Sequence, residues 1–227
     1  MLKKALFPGK YIQGVGALGE LPALLNLFGR RGLILASPTA HKKILPSSGL
    51  EAGSDAVLVE RFGGECCERE LSRLGTVIRE KSVDVLVGMG GGKTIDTAKI
   101  AADRANIPVI VVPTVASTDA PCSGCAVLYS EKGVFESVYY QKSNPAAVLV
   151  DTAVIAEAPT RFLVAGMGDA LATWFEARSC GATQSENVCG GLGTLTGLNL
   201  ARLCYDTLLA YGAAARIAAE QHIVTPA

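Results

Sequence analysis

The sequence contains no run of like charge. Its 21 Lys and Arg residues balance 21 Asp and Glu residues, which removes the electrostatic basis for binding nucleic acid or an anionic membrane. A neutral surface suits small-molecule work or self-association. Long apolar runs are missing too: strings such as "IPVIVVP" at 107–113 fall far short of the roughly 20 residues that cross a bilayer. The N-terminal "MLKKALFPGK" has an apolar stretch of three residues ending at Pro8, so it does not read as a signal peptide. A soluble, cytoplasmic protein is expected. Cysteine occurs in an odd number, seven, and no disulfide framework is expected. Cys122 and Cys125 form the C-x-x-C "CSGC", but no second such pair completes a four-thiolate zinc site. The pair reads as small apolar residues near a turn rather than as a redox or zinc motif.

Hydrophobic residues make up 49% of the chain and charged ones 19%, a balance that fits a globular domain with a proper core. Over the first 150 residues short apolar runs alternate with helical patterns. "GLILAS" (32–37), "AVLVE" (56–60), "VDVLVG" (83–88) and "IPVIVVP" (107–113) read as buried strands of a parallel sheet covered on both faces. "GALGELPALLNLFG", "ERELSRLGTVIREK" and "KTIDTAKIAADRAN" read as crossover helices; in the last, Ile95, Ala98, Ala101 and Ala102 share a face while Asp96, Lys99 and Asp103 lie elsewhere. The segment at 37–54 is broken early by Pro46, two serines and Gly49. "CAVLYS", "SVYY" and "AAVLVD" suggest a smaller antiparallel addition. From Pro159 strand signals vanish, and helices are predicted at 160–180, 186–211 and 213–224. The expected fold class is α/β, a Rossmann-like parallel sheet domain over 1–158 followed by a partial all-helical domain over 159–227. The apolar helical faces predict a homo-oligomer or association through them.

Two motifs carry the chemistry. In "VGMGGGKTIDTAK" (87–99) Gly88, Gly90, Gly91 and Gly92 sit between a strand and a helix, where backbone can approach a phosphate and the helix N-terminus is partly positive. It is neither G-x-G-x-x-G, because Lys93 stands where the last glycine belongs, nor a Walker A loop, because Val87 stands where the first belongs. "PTVASTDAPCSG" (113–124) follows the next strand, a polar loop at the carboxyl end of the sheet where open α/β folds bind ligands. Further on, "GMGDALATWFEAR" (166–178) places Asp169 after a Gly-Met-Gly break, where a carboxylate caps the following turn or ligates a metal.

With "PGKYIQG", "FGGEC", "NPAAVLVDT", "LCYDTLL" and "EQHIVTPA", these motifs resemble the glycerol dehydrogenase branch of the metal-dependent, iron-containing type alcohol dehydrogenase family, from about Pro8 to Ala227. The resemblance implies an NAD-binding domain, a helical domain and zinc between them. It implies that Gly91, Gly92, Lys93 and Thr94 cradle the pyrophosphate and that Thr114, Ser117, Ser123 and Tyr129 contact the cofactor. It assigns Asp119 to a hydroxyl of the polyol substrate, glycerol, as the catalytic and substrate-binding residue, and Asp169 to the metal at the substrate site. The implied reaction takes a hydride from C2 of glycerol to NAD and yields dihydroxyacetone.

The sequence departs from this pattern in two places. The family pairs its aspartate with two histidines downstream of "EQHIVTPA", whereas this chain holds only His41 and His222, neither at a ligand position. A catalytic zinc takes three protein ligands, so an impaired metal site and a helical domain cut short are expected. Where the family carries an acidic residue after the first strand, this chain has Ser37 in "LILASPT", which predicts weaker NAD binding and a weaker bias against NADP. Two other readings are a non-catalytic nucleotide-binding remnant that acts through interaction, and a sugar-phosphate cyclase resembling dehydroquinate synthase, which would need basic residues for a phosphate, whereas the "PTVASTDAPCS" loop with its aspartate suits a neutral polyol better.

Overall fold

The structure is a computed structural model that describes residues 2–50 and 56–226; residues 51–54 of the weakly patterned segment lie outside the described residues. Its contacts divide into two compact units, one of residues 8–115 and 120–155, the other of residues 2–7, 116–119 and 156–226.

The first unit is built on a sheet of β1 (Tyr11–Gly14), β2 (Gly32–Ala36), β3 (Val57–Arg61), β4 (Val85–Gly90), β5 (Val109–Pro113) and β8 (Ala147–Asp151), in the order β1-β8-β5-β4-β2-β3. Every neighbouring pair is parallel. Alternation along each strand splits its side chains between two cores, which is why the strands read as unbroken apolar runs. Leu33 and Leu35 of β2 join α2 (Glu68–Glu80) and α3 (Gly92–Ala105) on one face; Ile34 and Ala36 join α1 (Leu21–Phe28) on the other. Helix α2 is amphipathic and buries Leu71, Leu74 and Ile78, each worth roughly 1.5–3 kcal/mol relative to exposure. Asn106, at φ 57°, closes α3 in the left-handed conformation that asparagine tolerates. After Pro38 the chain makes a π-helical turn over Ala40–Ile44 and a 3-10 turn over Leu45–Ser47.

Three expectations need correction here. Strand β6 (Cys125–Tyr129) and β7 (Phe135–Tyr140) form the antiparallel hairpin, but "AAVLVD" does not belong to it: as β8 it lies inside the parallel sheet between β1 and β5. Strand β1 was not predicted, being four residues long with a half-exposed polar alternation. Asp96 and Lys99, set apart from the apolar face of α3, are both buried, because α3 is covered on more than one side and nine of its residues lie in the interior.

The second unit contains α5 (Thr160–Thr183) and α6 (Leu195–Glu220), preceded by the short α4 (Thr152–Ala156). Thr194 caps α6 by accepting from the N–H of Gly197 at 3.1 Å. The predicted helices 186–211 and 213–224 are one helix that starts later and runs through Gly212. Residues 186–194 instead make a turn, with Gly190 at φ 71° and paired backbone between Asn187 and Gly191, because glycines at 190, 191 and 193 favour a turn over a helix. Trp174 and Phe175 of α5 meet Tyr205 of α6, with ring centroids 6.3 and 5.8 Å apart. Leu195, Leu203 and Leu209 remain exposed. No helix among the described residues is long and apolar enough to cross a membrane.

Candidate functional site

The turn from β4 into α3 gathers most of the residues assigned to the cofactor. Gly91 precedes the helix in extended backbone, and no side chain caps it. The first intrahelical bonds run from the N–H groups of Thr94 and Ile95 to the Gly91 carbonyl, at 3.0 and 3.1 Å, so Gly92 and Lys93 head the helix as its orphan donors. Thr114, nearly buried at the end of β5, donates its N–H to the Gly90 carbonyl at 3.0 Å and fixes the next strand beside the turn. Gly90 must be glycine, since a Cβ there would come within 2.8 Å of Thr94 Cβ and 3.0 Å of Ser37 Cβ. Such an uncapped N-terminus with bare backbone is suited to an anion.

Lys93 does not reach over this turn. Its ammonium donates to both oxygens of Glu65, at 2.6 and 2.7 Å, and lies 5.0 Å from the centre of the Tyr129 ring. Ser37 caps the turn that follows β2, its Oγ accepting from the N–H of Ala40 at 3.3 Å. Ser123 is engaged internally: its hydroxyl donates to the Ala120 carbonyl at 3.0 Å and accepts from Lys99 at 3.3 Å.

Lys99 is a feature the sequence reading missed. Fully buried, it also donates to the carbonyls of Ala120 and Cys125 and faces the Asp96 carboxylate at 3.9 Å. Asp96 accepts from the N–H of Val127 at 3.0 Å, and burial raises its pKa against the lowering effects of that bond and of Lys99. The signal was the i,i+3 pair of opposite charges on an otherwise apolar helix between two layers. At the other end of α3 a cavity of about 280 Å³ is lined by Asp103, Asn106, Gln141, Lys142 and Asn144, away from the glycine turn.

The second unit brings Asp119 and Asp169 together, with Ser117 in the same short segment 116–119. Asp169 is not at a helix mouth. Helix α5 passes through Gly166 and Gly168 without a break, and its carboxylate accepts from the N–H of Asp119 at 2.9 Å instead of capping. Gly166 lets the chain pass, since a Cβ there would collide with the Ala116 carbonyl; that approach offsets the helical cost of a glycine, about 1 kcal/mol. The pKa of Asp119 is raised by loss of surrounding water and by the charges of Asp169 and Glu176.

Among the described residues no three His, Cys, Asp or Glu side chains converge as metal ligands. His222 is held by the Ala156 carbonyl at 2.8 Å, and His41 is exposed on the turn after β2. The carboxylates of Asp119 and Asp169 therefore do not by themselves make up a zinc site.

A family model described as iron-containing alcohol dehydrogenase matches residues 8–152. The chain is 47% identical over its whole length to a glycerol dehydrogenase of Thermotoga maritima, of which it covers 62%. A crystal structure of a probable glycerol dehydrogenase from Sinorhizobium meliloti 1021 superposes with a TM-score of 0.92 at 44% identity, over 99% of this chain and 62% of that one. The structure of glycerol dehydrogenase from Schizosaccharomyces pombe gives a TM-score of 0.85 at 32% identity, over 99% of this chain and 57% of that one. The chain thus spans about three fifths of the length of the relatives it matches.

Proposed function

Since the chain belongs to the iron-containing alcohol dehydrogenase family, we propose that it is the cofactor-binding part of an NAD-dependent oxidoreductase acting on a small polyol, with glycerol as substrate and dihydroxyacetone as product. The observation that carries this reading is the uncapped N-terminus of α3 behind Gly90 and Gly91. NAD, when bound, supplies a hydride acceptor. The N–H groups of Gly92 and Lys93 would hold its pyrophosphate, with Thr94 and Thr114 fixing the turn; Ser117, Ser123 and Tyr129 would be reached by the rest of the cofactor. Asp119, beside Asp169, would accept a hydrogen bond from a substrate hydroxyl. With Ser37 in place of an acidic residue, discrimination against NADP should be weak.

A divalent metal, with zinc the first choice, would take Asp169 as a ligand, but among the described residues the donors fall short of a complete set. That shortfall supports the second reading, nucleotide binding without turnover by these residues alone. The exposed leucines of α6 support association with further copies. The seven free cysteines suit the reducing conditions of the cytoplasm. Calorimetric titration with NAD and with zinc, together with NADH formation from glycerol, separates the readings: NAD binding without zinc binding or turnover favours the second. Failure to bind any nicotinamide nucleotide would sink both.

A further inference from the structure

The Glu65 carboxylate occupies the cation that heads the nucleotide turn. Glu65 lies in the loop between β3 and α2, beside the left-handed Gly64, and both its oxygens accept from the Lys93 ammonium. The ring of Tyr129 lies against the same ammonium, and the N–H of Tyr129 donates to the carbonyl of Cys66, the residue after Glu65, at 2.8 Å. Lys93 is thus held on one side by a full charge and on another by an aromatic face. The pair is not locked in the interior: the side chains of Lys93 and Glu65 are 43% and 29% exposed, so the lysine can exchange its partner for another anion.

We infer that Glu65 is an internal competitor for Lys93 and so sets the affinity of the site for the diphosphate of a dinucleotide. The inference rests on the reading of the α3 N-terminus as a nucleotide site. When the diphosphate arrives, Lys93 either leaves Glu65 or shares its charge between two anions, and in both cases the carboxylate opposes binding through repulsion and through the contact given up. Glu65→Gln keeps the shape and removes the charge. It should lower the Kd for NAD about fivefold, the scale of one partly exposed ion pair.

The test is calorimetric titration of NAD into the full chain, its Glu65→Gln and Lys93→Gln variants and the double variant, with circular dichroism to verify folding. Tighter binding in Glu65→Gln, and a smaller gain from the same change in the Lys93→Gln background, where no ion pair has to be given up, is the expected result. Equal or weaker binding in Glu65→Gln, with the parent binding well, overturns the competitor role alone. If neither parent nor variants bind, the nucleotide reading falls and the inference with it. Should Glu65→Gln fold poorly, Glu65→Asp, which shortens the reach to Lys93, must still bind NAD more tightly than the parent.

Discussion

The backbone N–H of Asp119 donates to Oδ2 of Asp169 over 2.9 Å, so two acidic residues 50 positions apart sit side by side. Loss of surrounding water, together with the charges of Asp169 and Glu176, gives Asp119 a pKa above its ordinary value of 3.8. Below that value both folded and unfolded chains are protonated and nothing is lost. As pH rises through the folded pKa, the folded chain must take on a charge that Asp169 and Glu176 oppose, and stability falls. Asp119→Asn should therefore melt higher than the parent at pH 7 and coincide with it below about pH 3.8; thermal melts across that range measure the difference.

Gly166 and Gly168 lie on the same helix in different surroundings. A methyl group at 166 meets the Ala116 carbonyl, whereas nothing lies within 4 Å of position 168. Gly166→Ala should destabilise by about 1–3 kcal/mol through overpacking, while Gly168→Ala should stabilise by about 0.5–1 kcal/mol through helix propensity. Urea unfolding of both variants decides it, and changes of equal sign would contradict the packing described.

Lys99→Met removes the donor to two half-buried carbonyls and takes from Asp96 the ammonium it faces. A loss of about 3–5 kcal/mol is expected in chemical denaturation, far beyond that of an exposed lysine such as Lys132.

Gly90→Ala crowds Thr94 and Ser37 at the turn before α3. It should cost about 1–3 kcal/mol and weaken NAD binding more than a substitution remote from the turn, as titration calorimetry would show.

Much of the sheet was legible because a strand buried on both faces must be apolar throughout, and β2, β4 and β5 are. Strand β1 was not, since four residues at an edge need no such pattern. The role of "AAVLVD" was misread because its apolar run fits any buried strand, and only pairing with Val111 and Tyr11, distant in sequence, decides its sheet. At the site, the glycines announced the turn through their spacing. The positions of side chains were hidden: nothing local tells that Lys93 turns to Glu65 or that Lys99 points inward. The Gly-Met-Gly sequence misled in the opposite sense, because tertiary contact at Ala116 outweighs the intrinsic reluctance of glycine to stay helical.

The placement of β8 beside β1 has a bearing on how the chain assembles as it emerges from the ribosome. Tyr11–Gly14 is made long before its partner strand, which ends at Asp151, whose carboxylate also receives the N–H groups of Gly16 and Leu18. During synthesis that edge has no companion until β8 has been made. Late closure over so long a loop predicts slow maturation of this border and an interval in which a nascent strand stands open to misassociation.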